Sequence, residues 1–293
     1  MKLGVYSRML KHSTVSLVQN FLQILSDHGI EFTLYHDLFE ALKGEVDLSN
    51  VGYFDKSDNP EQHGIDFMVS LGGDGTFLDT LTIIKNSDVP VMGVNTGRLG
   101  FLSNISKEKA ETAVKDLING HFSIEERTLI KLESNKTIFE EGDLALNDFT
   151  IHKRDNSSMV TINTFLNGEL FNTYWADGLI VSTPTGSTGY SLSCGGPVIF
   201  PDSQNFVVTP VAPHNLNIRP IVVSDGSVIS FEVKGRGSNF LVSLDSRYEV
   251  LDYSYQLAVH KAQFKLKLVK LNRQNFIQTL REKLMWGVDN RNL

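Results

Sequence analysis

From Val69 the chain reads VSLGGDGTFLDTL, so Gly72, Gly73, Asp74, Gly75 and Thr76 stand directly behind a run of strand-forming apolar residues. Glycines let backbone N–H groups turn toward a ligand with no side chain in the way, and a following helix offers its positive N-terminus. Together these suit a polyphosphate. For the glycines alone a plain strand-to-helix turn is the simpler account, but Asp74 changes it. A carboxylate aimed at an anion is unfavourable unless it binds Mg²⁺ or accepts a proton from an attacking hydroxyl. The turn has no G-x-G-x-x-G pattern and the chain has no G-x-x-x-x-G-K-[ST] sequence, which speaks against a standard Rossmann dehydrogenase and a P-loop enzyme.

A second stretch, ADGLIVSTPTGSTGYSLSCGGP from Ala176, is too rich in hydroxyls and glycine for an ordinary strand. Hydroxyls and amides can hydrogen-bond purine edges and phosphates, and Tyr190 can lie against a base. A Ser/Thr/Gly connection between β elements is the plainer alternative; the density of polar groups beside an apolar strand favours binding. NTGRLGFL, from Asn95, follows a strand end, where open α/β sheets bind ligands, although Gly97 and Gly100 fit a packing turn equally well. In ALNDFTIH the pair Asn147 and Asp148 interrupts an apolar strand and could grip vicinal ribose hydroxyls, or simply form a turn or bulge. Cys194 has no evident base beside it and reads as a small packed residue. No H-E-x-x-H sequence is present, so a protein-held catalytic zinc is not expected.

The elements that must hold these stretches change character near Glu125. Before it, strand and helix signals alternate: KLGVYS, a helix capped by Ser13 or Thr14 with Val15, Val18, Phe21, Leu22 and Leu25 on one face, then IEFTLYHDL as a strand. IDFMVSL is a short apolar run suited to a strand buried on both faces of a parallel sheet, FLDTLTIIK a helix facing inward through Phe77, Leu81 and Ile84, and VPVMGVN a further strand. A helix after Ser106 packs through Ala110, Val114, Leu117 and Ile118 and stops at Gly120. Beyond Glu125 the period becomes alternating, with Asn167-Gly168 predicting a hairpin turn and AQFKLKLVKL reading as a strand. The last segment, NRQNFIQTLREKLMWG, is helical, with Phe276, Ile277, Leu280 and Leu284 on one stripe. The expected organisation is a Rossmann-like α/β domain over residues 1–125, an all-β, sandwich-like domain over 126–270, and a C-terminal helix over 271–293 that returns to the first domain.

Composition fits this plan. The 293 residues are enough for two domains, since one core seldom grows beyond roughly 250 to 300 residues, and 41% hydrophobic with 21% charged residues is ordinary for a globular protein. A net charge of −7 without basic runs disfavours nucleic acid as a partner. A single cysteine excludes a disulfide framework, and no secretory or membrane-spanning pattern follows Met1, so the expectation is a cytoplasmic protein with no membrane association.

LGGDGT, NTGRLGFL, LNDF and DGLIVSTPTGSTGYSLSCGGP, in this order and at these separations, resemble the NAD kinase family of bacteria over nearly the whole chain. The resemblance implies transfer of the γ-phosphoryl group of ATP to the 2′-hydroxyl of the adenosine ribose of NAD, giving NADP and ADP, with a divalent cation, Mg²⁺ or Mn²⁺, in a homodimer or homotetramer. By motif position, Asp74 would be the base or hydroxyl-orienting residue, and Gly72, Gly73, Gly75 and Thr76 would hold phosphates. Asn147 and Asp148 would grip the ribose, Thr185, Thr188 and Tyr190 would line the adenine pocket, and Asp177 and Phe101 would contact other parts of the dinucleotide. Two positions depart from the family pattern: Asp148 stands where glutamate is usual, and Gly189 where alanine is. The alternatives are a lipid kinase of the diacylglycerol type, which would share Asp74, and a non-catalytic dinucleotide sensor, which would share the binding loops.

Overall fold

Apolar runs separated by glycine turns place two compact units in this chain, Met1–Glu125 with Lys267–Leu293, and Glu126–Leu266. The computed structural model describes residues 1–8, 12–97, 100–154, 158–272 and 275–285, with residues 12–14 described by backbone alone. The chain opens with β1 (Lys2–Tyr6), α1 (His12–Asp27), β2 (Glu31–Tyr35), α2 (His36–Leu42), β3 (Gly52–Phe54), β4 (Phe67–Leu71), α3 (Asp74–Ile84), β5 (Val91–Asn95), β6 (Ile105–Ser106), α4 (Ala110–Ile118) and β7 (Phe122–Arg127). Next come β8 (Ile130–Ser134), β9 (Leu144–Ala145), β10 (Asp148–Lys153), β11 (Val160–Leu166), β12 (Glu169–Ala176), β13 (Gly178–Ser182), α5 (Tyr190–Ser193) and β14 (Asn205–Val211). The rest are β15 (Ile221–Ser224), β16 (Ile229–Lys234), β17 (Asn239–Leu244), β18 (Arg247–Asp252), β19 (Leu257–Lys261), β20 (Leu266–Leu271) and α6 (Phe276–Leu284).

The first unit is built on a mostly parallel sheet in the order β3-β2-β1-β4-β5-β20-β7, with β6 beside β5. β1 pairs in parallel with both β2 and β4, so the chain runs outward to β3 and then returns to lay β4 against the other side of β1. That reversal leaves a crevice at the carboxyl ends of β1 and β4, the usual ligand position of open α/β sheets. Leu3, Val5, Val69, Leu71, Met92 and Val94 bury one sheet face under Val18, Phe21, Leu22 and Leu25 of α1 and Ala113, Val114 and Leu117 of α4. At roughly 1.5–3 kcal/mol per fully buried large apolar side chain, this face is a main support of the crevice.

Several local expectations need correction. The IEFTLYHDL strand ends at Tyr35, because Leu38 and Leu42, four residues apart, bury a helical face instead. Ile118 is 46% exposed: α4 buries Ala110, Ala113, Val114 and Leu117, and the next residue turns off that face. α1 begins at His12, ahead of the residues expected to cap it, and the side chains of Ser13 and Thr14 lie outside those described. α6 buries Leu280 but leaves Ile277 46% exposed, and Trp286 and Gly287 lie outside the described residues. The alternating run ending at Leu271 forms β20, parallel to β5, so the division falls after Leu266 and not after residue 270. Alternation predicts a strand but does not choose its sheet.

The second unit packs two antiparallel sheets, β15-β14-β13-β10-β17-β18 and β12-β11-β16-β19-β8-β9. Phe149, Leu179, Val181, Phe206 and Phe240 from the first meet Ile162, Tyr174, Phe231 and Val259 from the second in one core. The rings of Phe149 and Phe231 lie 5.4 Å apart, centroid to centroid. Asn167 and Gly168 both take positive φ, +52° and +86°, in the turn joining β11 to β12, as the sequence predicts.

Candidate active site

In the first unit, Asp74 opens α3, with Gly73 in extended conformation just before it. Its carboxylate reaches back to the loop after β5. Oδ2 accepts from the backbone N–H of Phe101 (2.8 Å), and Oδ1 accepts from those of Leu102 (3.0 Å) and Ser103 (2.9 Å). Each carboxylate oxygen can accept twice, so with respect to the described residues Oδ2 keeps an open lone pair. Two glycines make this arrangement fit. A β-carbon at Gly100 would stand 1.7 Å from Asp74 Oδ1, and one at Gly72 would stand 2.3 Å from Thr76 Oγ1. Asn95 shapes the loop from below, its Oδ1 accepting from Gly97 N–H (2.6 Å) and its Nδ2 donating to the Ser103 carbonyl (3.2 Å). The structure therefore brings Gly72, Gly73, Asp74, Gly75, Thr76 and Phe101 together. Arg98 and Leu99 of the same loop lie outside the described residues.

In the second unit, Asn147 and Asp148 stand at the start of β10, gathered by an acid that the sequence reading overlooked. The Asp245 carboxylate accepts from the backbone N–H groups of Leu146 (2.8 Å), Asn147 (2.7 Å) and Asp148 (3.2 Å). Asp245 sits at φ +53° in the turn between β17 and β18, a conformation aspartate tolerates better than most residues. Asp148 is itself buried, and burial, followed by the charge of Asp245, pushes its carboxyl up to about 7. Asp245 is raised as well, chiefly by burial, against the lowering effect of its three amide donors and Arg247.

The loop after β13 closes over this pair. Thr183 N–H donates to the Asn147 carbonyl (2.9 Å), and a β-carbon at Gly186 would stand 2.0 Å from that same oxygen. Several of the loop's hydroxyls are taken up by protein partners. Thr183 Oγ1 donates to the Leu146 carbonyl (2.5 Å), and Ser187 Oγ donates to the Pro184 carbonyl (2.7 Å) and accepts from Ile199 N–H (2.9 Å). Thr188 Oγ1 donates to the Thr185 carbonyl (3.2 Å), and Ser191 Oγ pairs with Thr209 Oγ1 (2.8 Å). Thr185 is buried, while Tyr190 is 41% exposed. Burial raises the Tyr190 phenol, with Cys194, Asp148 and Asp177 adding to the shift, so it stays a neutral donor. Asp177 pairs with Lys153 Nζ at 2.7 Å.

Arg8, Lys153 and Asp245 stand at these sites outside the motifs, and Asp79, though inside VSLGGDGTFLDTL, was not singled out; Arg8 lies along Gly75 and pairs with Asp79. The available signal was position, since Arg8 follows the first strand at the carboxyl edge of the sheet and Asp245 ends a strand within VSLDS. Among the described residues, no group of three or more His, Cys, Asp or Glu is placed to hold a metal ion, and no helix is long and apolar enough to cross a membrane.

Comparison with known proteins agrees over both units. Residues 3–122 match the ATP-NAD kinase N-terminal domain and residues 146–271 the ATP-NAD kinase C-terminal domain. The chain is 46% identical to an NAD kinase of Cytophaga hutchinsonii, covering 99% of each chain, and 40% identical to one of Bacteroides fragilis, covering 99% of this chain and 100% of the relative. An NAD kinase from Archaeoglobus fulgidus, solved in complex with ATP, aligns with a TM-score of 0.75 at 26% identity over 97% of this chain and 99% of that one. Yeast NADH kinase, solved with NADH, aligns with a TM-score of 0.87 over 99% of this chain and 88% of that one; at 22% identity it speaks for the fold alone.

Proposed function

The chain belongs to the NAD kinase family, and on that premise we propose that Asp74 orients the 2′-hydroxyl of the adenosine ribose of NAD for attack on the γ-phosphorus of ATP. It is an enzyme that phosphorylates NAD with ATP. The observation that carries the role of Asp74 is its carboxylate, fixed by the amides of Phe101, Leu102 and Ser103 with one lone pair of Oδ2 free to receive a hydroxyl. As the ribose oxygen bonds to the γ-phosphorus, the bond to the leaving ADP oxygen breaks, and the hydroxyl proton passes to Oδ2. A ribose hydroxyl is a weak acid, so this transfer comes late, when the O–P bond is largely formed.

The other parts divide by unit. Gly72, Gly73, Gly75 and Thr76 form the phosphate-holding turn at the N-terminus of α3, with Gly73 and Gly75 the more accessible positions and Gly72 N–H anchoring the turn on the Val94 carbonyl (2.9 Å). In the second unit Asn147 and Asp148 grip the ribose, the Thr185, Thr188 and Tyr190 segment receives adenine, and Asp177 takes another part of the dinucleotide, as does Phe101 of the first unit. Asp148 in place of the longer glutamate is accommodated by its position at the buried start of β10, where Asp245 fixes its backbone. A divalent cation, Mg²⁺ or Mn²⁺, would be held mainly by the ATP phosphates, as small hard cations commonly are. When bound, it would neutralise charge on the phosphate oxygens, with Asp74 the one carboxylate within the turn itself. A homodimer or homotetramer in the cytoplasm completes the reading.

Incubation of the purified protein with NAD, ATP and Mg²⁺, with NADP followed through an NADP-specific dehydrogenase, tests the function. NADP appearing in proportion to enzyme supports it. Tight NAD binding without NADP formation would instead favour the dinucleotide sensor, a reading that, like the lipid kinase, draws no support from the relatives.

A further inference from the structure

We infer that Arg8 is a phosphate-binding residue of this reaction, held against the glycine turn by Asp79 so that its Nη1 edge meets the donor phosphates of ATP. The inference rests on the kinase reading and extends it to a residue outside the recognised motifs.

Topology brings Arg8 to the turn. β1 and β4 are paired with Tyr6 opposite Ser70, and Ser7 Oγ donates to the Leu71 carbonyl at 2.8 Å, so the chain leaves both strands at one point of the sheet edge. Arg8 follows immediately. Its Nη1 lies 3.3 Å, and its central carbon 3.7 Å, from where a β-carbon on Gly75 would be. Gly75 thus leaves open the space in which a guanidinium lies along the turn.

Orientation comes from Asp79, one turn further along α3. Its carboxylate takes Arg8 Nε and, at 2.8 Å, Nη2, a two-point pairing that fixes the guanidinium plane. The N–H groups on Nη1 are left facing Gly75. Tyr6 donates to the same carboxylate at 3.2 Å; burial and then Asp79 raise its phenol, which keeps it a donor. A half-exposed ion pair contributes little to stability, so stability alone gives poor reason for this three-residue arrangement beside a phosphate turn.

The chemistry supplies a reason. Phosphoryl transfer is catalysed mainly by positioning and by charge on the phosphate oxygens. The turn from Gly72 to Thr76 contains no lysine or arginine, in a chain of net charge −7. A pre-oriented arginine fork fits that need better than a lysine would.

The test uses Arg8→Ala, Arg8→Lys and Asp79→Asn in the full chain, with kcat and KM measured separately for ATP and NAD, and with calorimetric binding of a non-hydrolysable ATP analogue and of NAD. Arg8→Ala is expected to lower kcat/KM for ATP by ~10²-fold or more and to weaken the analogue, leaving NAD affinity within about two-fold. Arg8→Lys should recover part of the loss, and Asp79→Asn should cost less than Arg8→Ala because the guanidinium remains. An Arg8→Ala enzyme with wild-type ATP kinetics and analogue affinity overturns the proposal, as does equal weakening of NAD and analogue. If wild type forms no NADP, the kinase reading fails, while loss of analogue binding in Arg8→Ala still supports the phosphate contact and its retention still overturns it.

Discussion

Gly100 and Asp74 occupy one space: a β-carbon on the glycine would stand 1.7 Å from Oδ1 of the carboxylate. The loop after β5 approaches so closely because its amides hydrogen-bond that carboxylate. Gly100→Ala must therefore push either the loop or Asp74 aside. We expect kcat to fall about 10²-fold, since a displacement near 1 Å is enough to disturb a reacting geometry, with a stability loss of ~1–3 kcal/mol from overpacking. NADP formation and urea unfolding of the same preparation check the two effects separately.

Asp74→Asn preserves shape but not hydrogen bonding. An amide offers one acceptor oxygen where the carboxylate offered two, so its NH₂ group confronts either Phe101 N–H or the amides of Leu102 and Ser103. The expected results are ~10²–10³-fold loss of turnover, a stability cost of about 1–3 kcal/mol, and NAD affinity within several-fold of wild type by calorimetry. Near-normal turnover would remove Asp74 from the mechanism.

Asp148 gives stability a pH dependence of predictable sign. Its carboxyl is raised from an ordinary value near 3.8 to about 7 in the folded chain. Between those values the folded state binds the proton and the unfolded state does not, so folding is favoured at the acid end and loses stability as pH rises toward 7. Each tenfold difference in proton affinity between the two states is worth ~1.4 kcal/mol, which makes the loss attributable to this group on the order of a few kcal/mol. Denaturant unfolding at pH 5 and pH 8 should show wild type losing more stability over that interval than Asp148→Asn. An equal change in both proteins would contradict the assignment.

How much of this was legible in the sequence depends on the range of each interaction. The glycine turn and the Asn167-Gly168 hairpin were readable because neighbouring residues dictate their φ angles. β20 read correctly as a strand and was placed with the wrong neighbours, since its choice of β5 is a long-range pairing. Asp245 was invisible for the same reason: its role is to accept amides about a hundred residues earlier in the chain, and its own surroundings look like any strand end. The hydroxyl-rich loop was recognised as special, but that Thr183, Ser187 and Ser191 turn inward was not legible, because their partners Leu146, Ile199 and Thr209 lie outside the loop.

That last distinction yields a paired prediction. Ser187 is fully buried and satisfies both the Pro184 carbonyl and Ile199 N–H. Ser187→Ala orphans Ile199 N–H and leaves the Pro184 carbonyl only the longer bond from the residue 187 backbone N–H (3.3 Å), so it should cost about 1–3 kcal/mol. Thr188 is less buried and makes one longer bond, to the Thr185 carbonyl. Thr188→Ala should cost under ~1 kcal/mol of stability, yet, if the loop receives adenine, should raise KM for NAD several-fold with little change in KM for ATP. Thermal unfolding and NAD titrations of the two variants separate a hydroxyl that holds the loop from one that faces the substrate. A Ser187→Ala protein of wild-type stability, or a Thr188→Ala enzyme with unchanged KM for NAD, would reverse that division of roles.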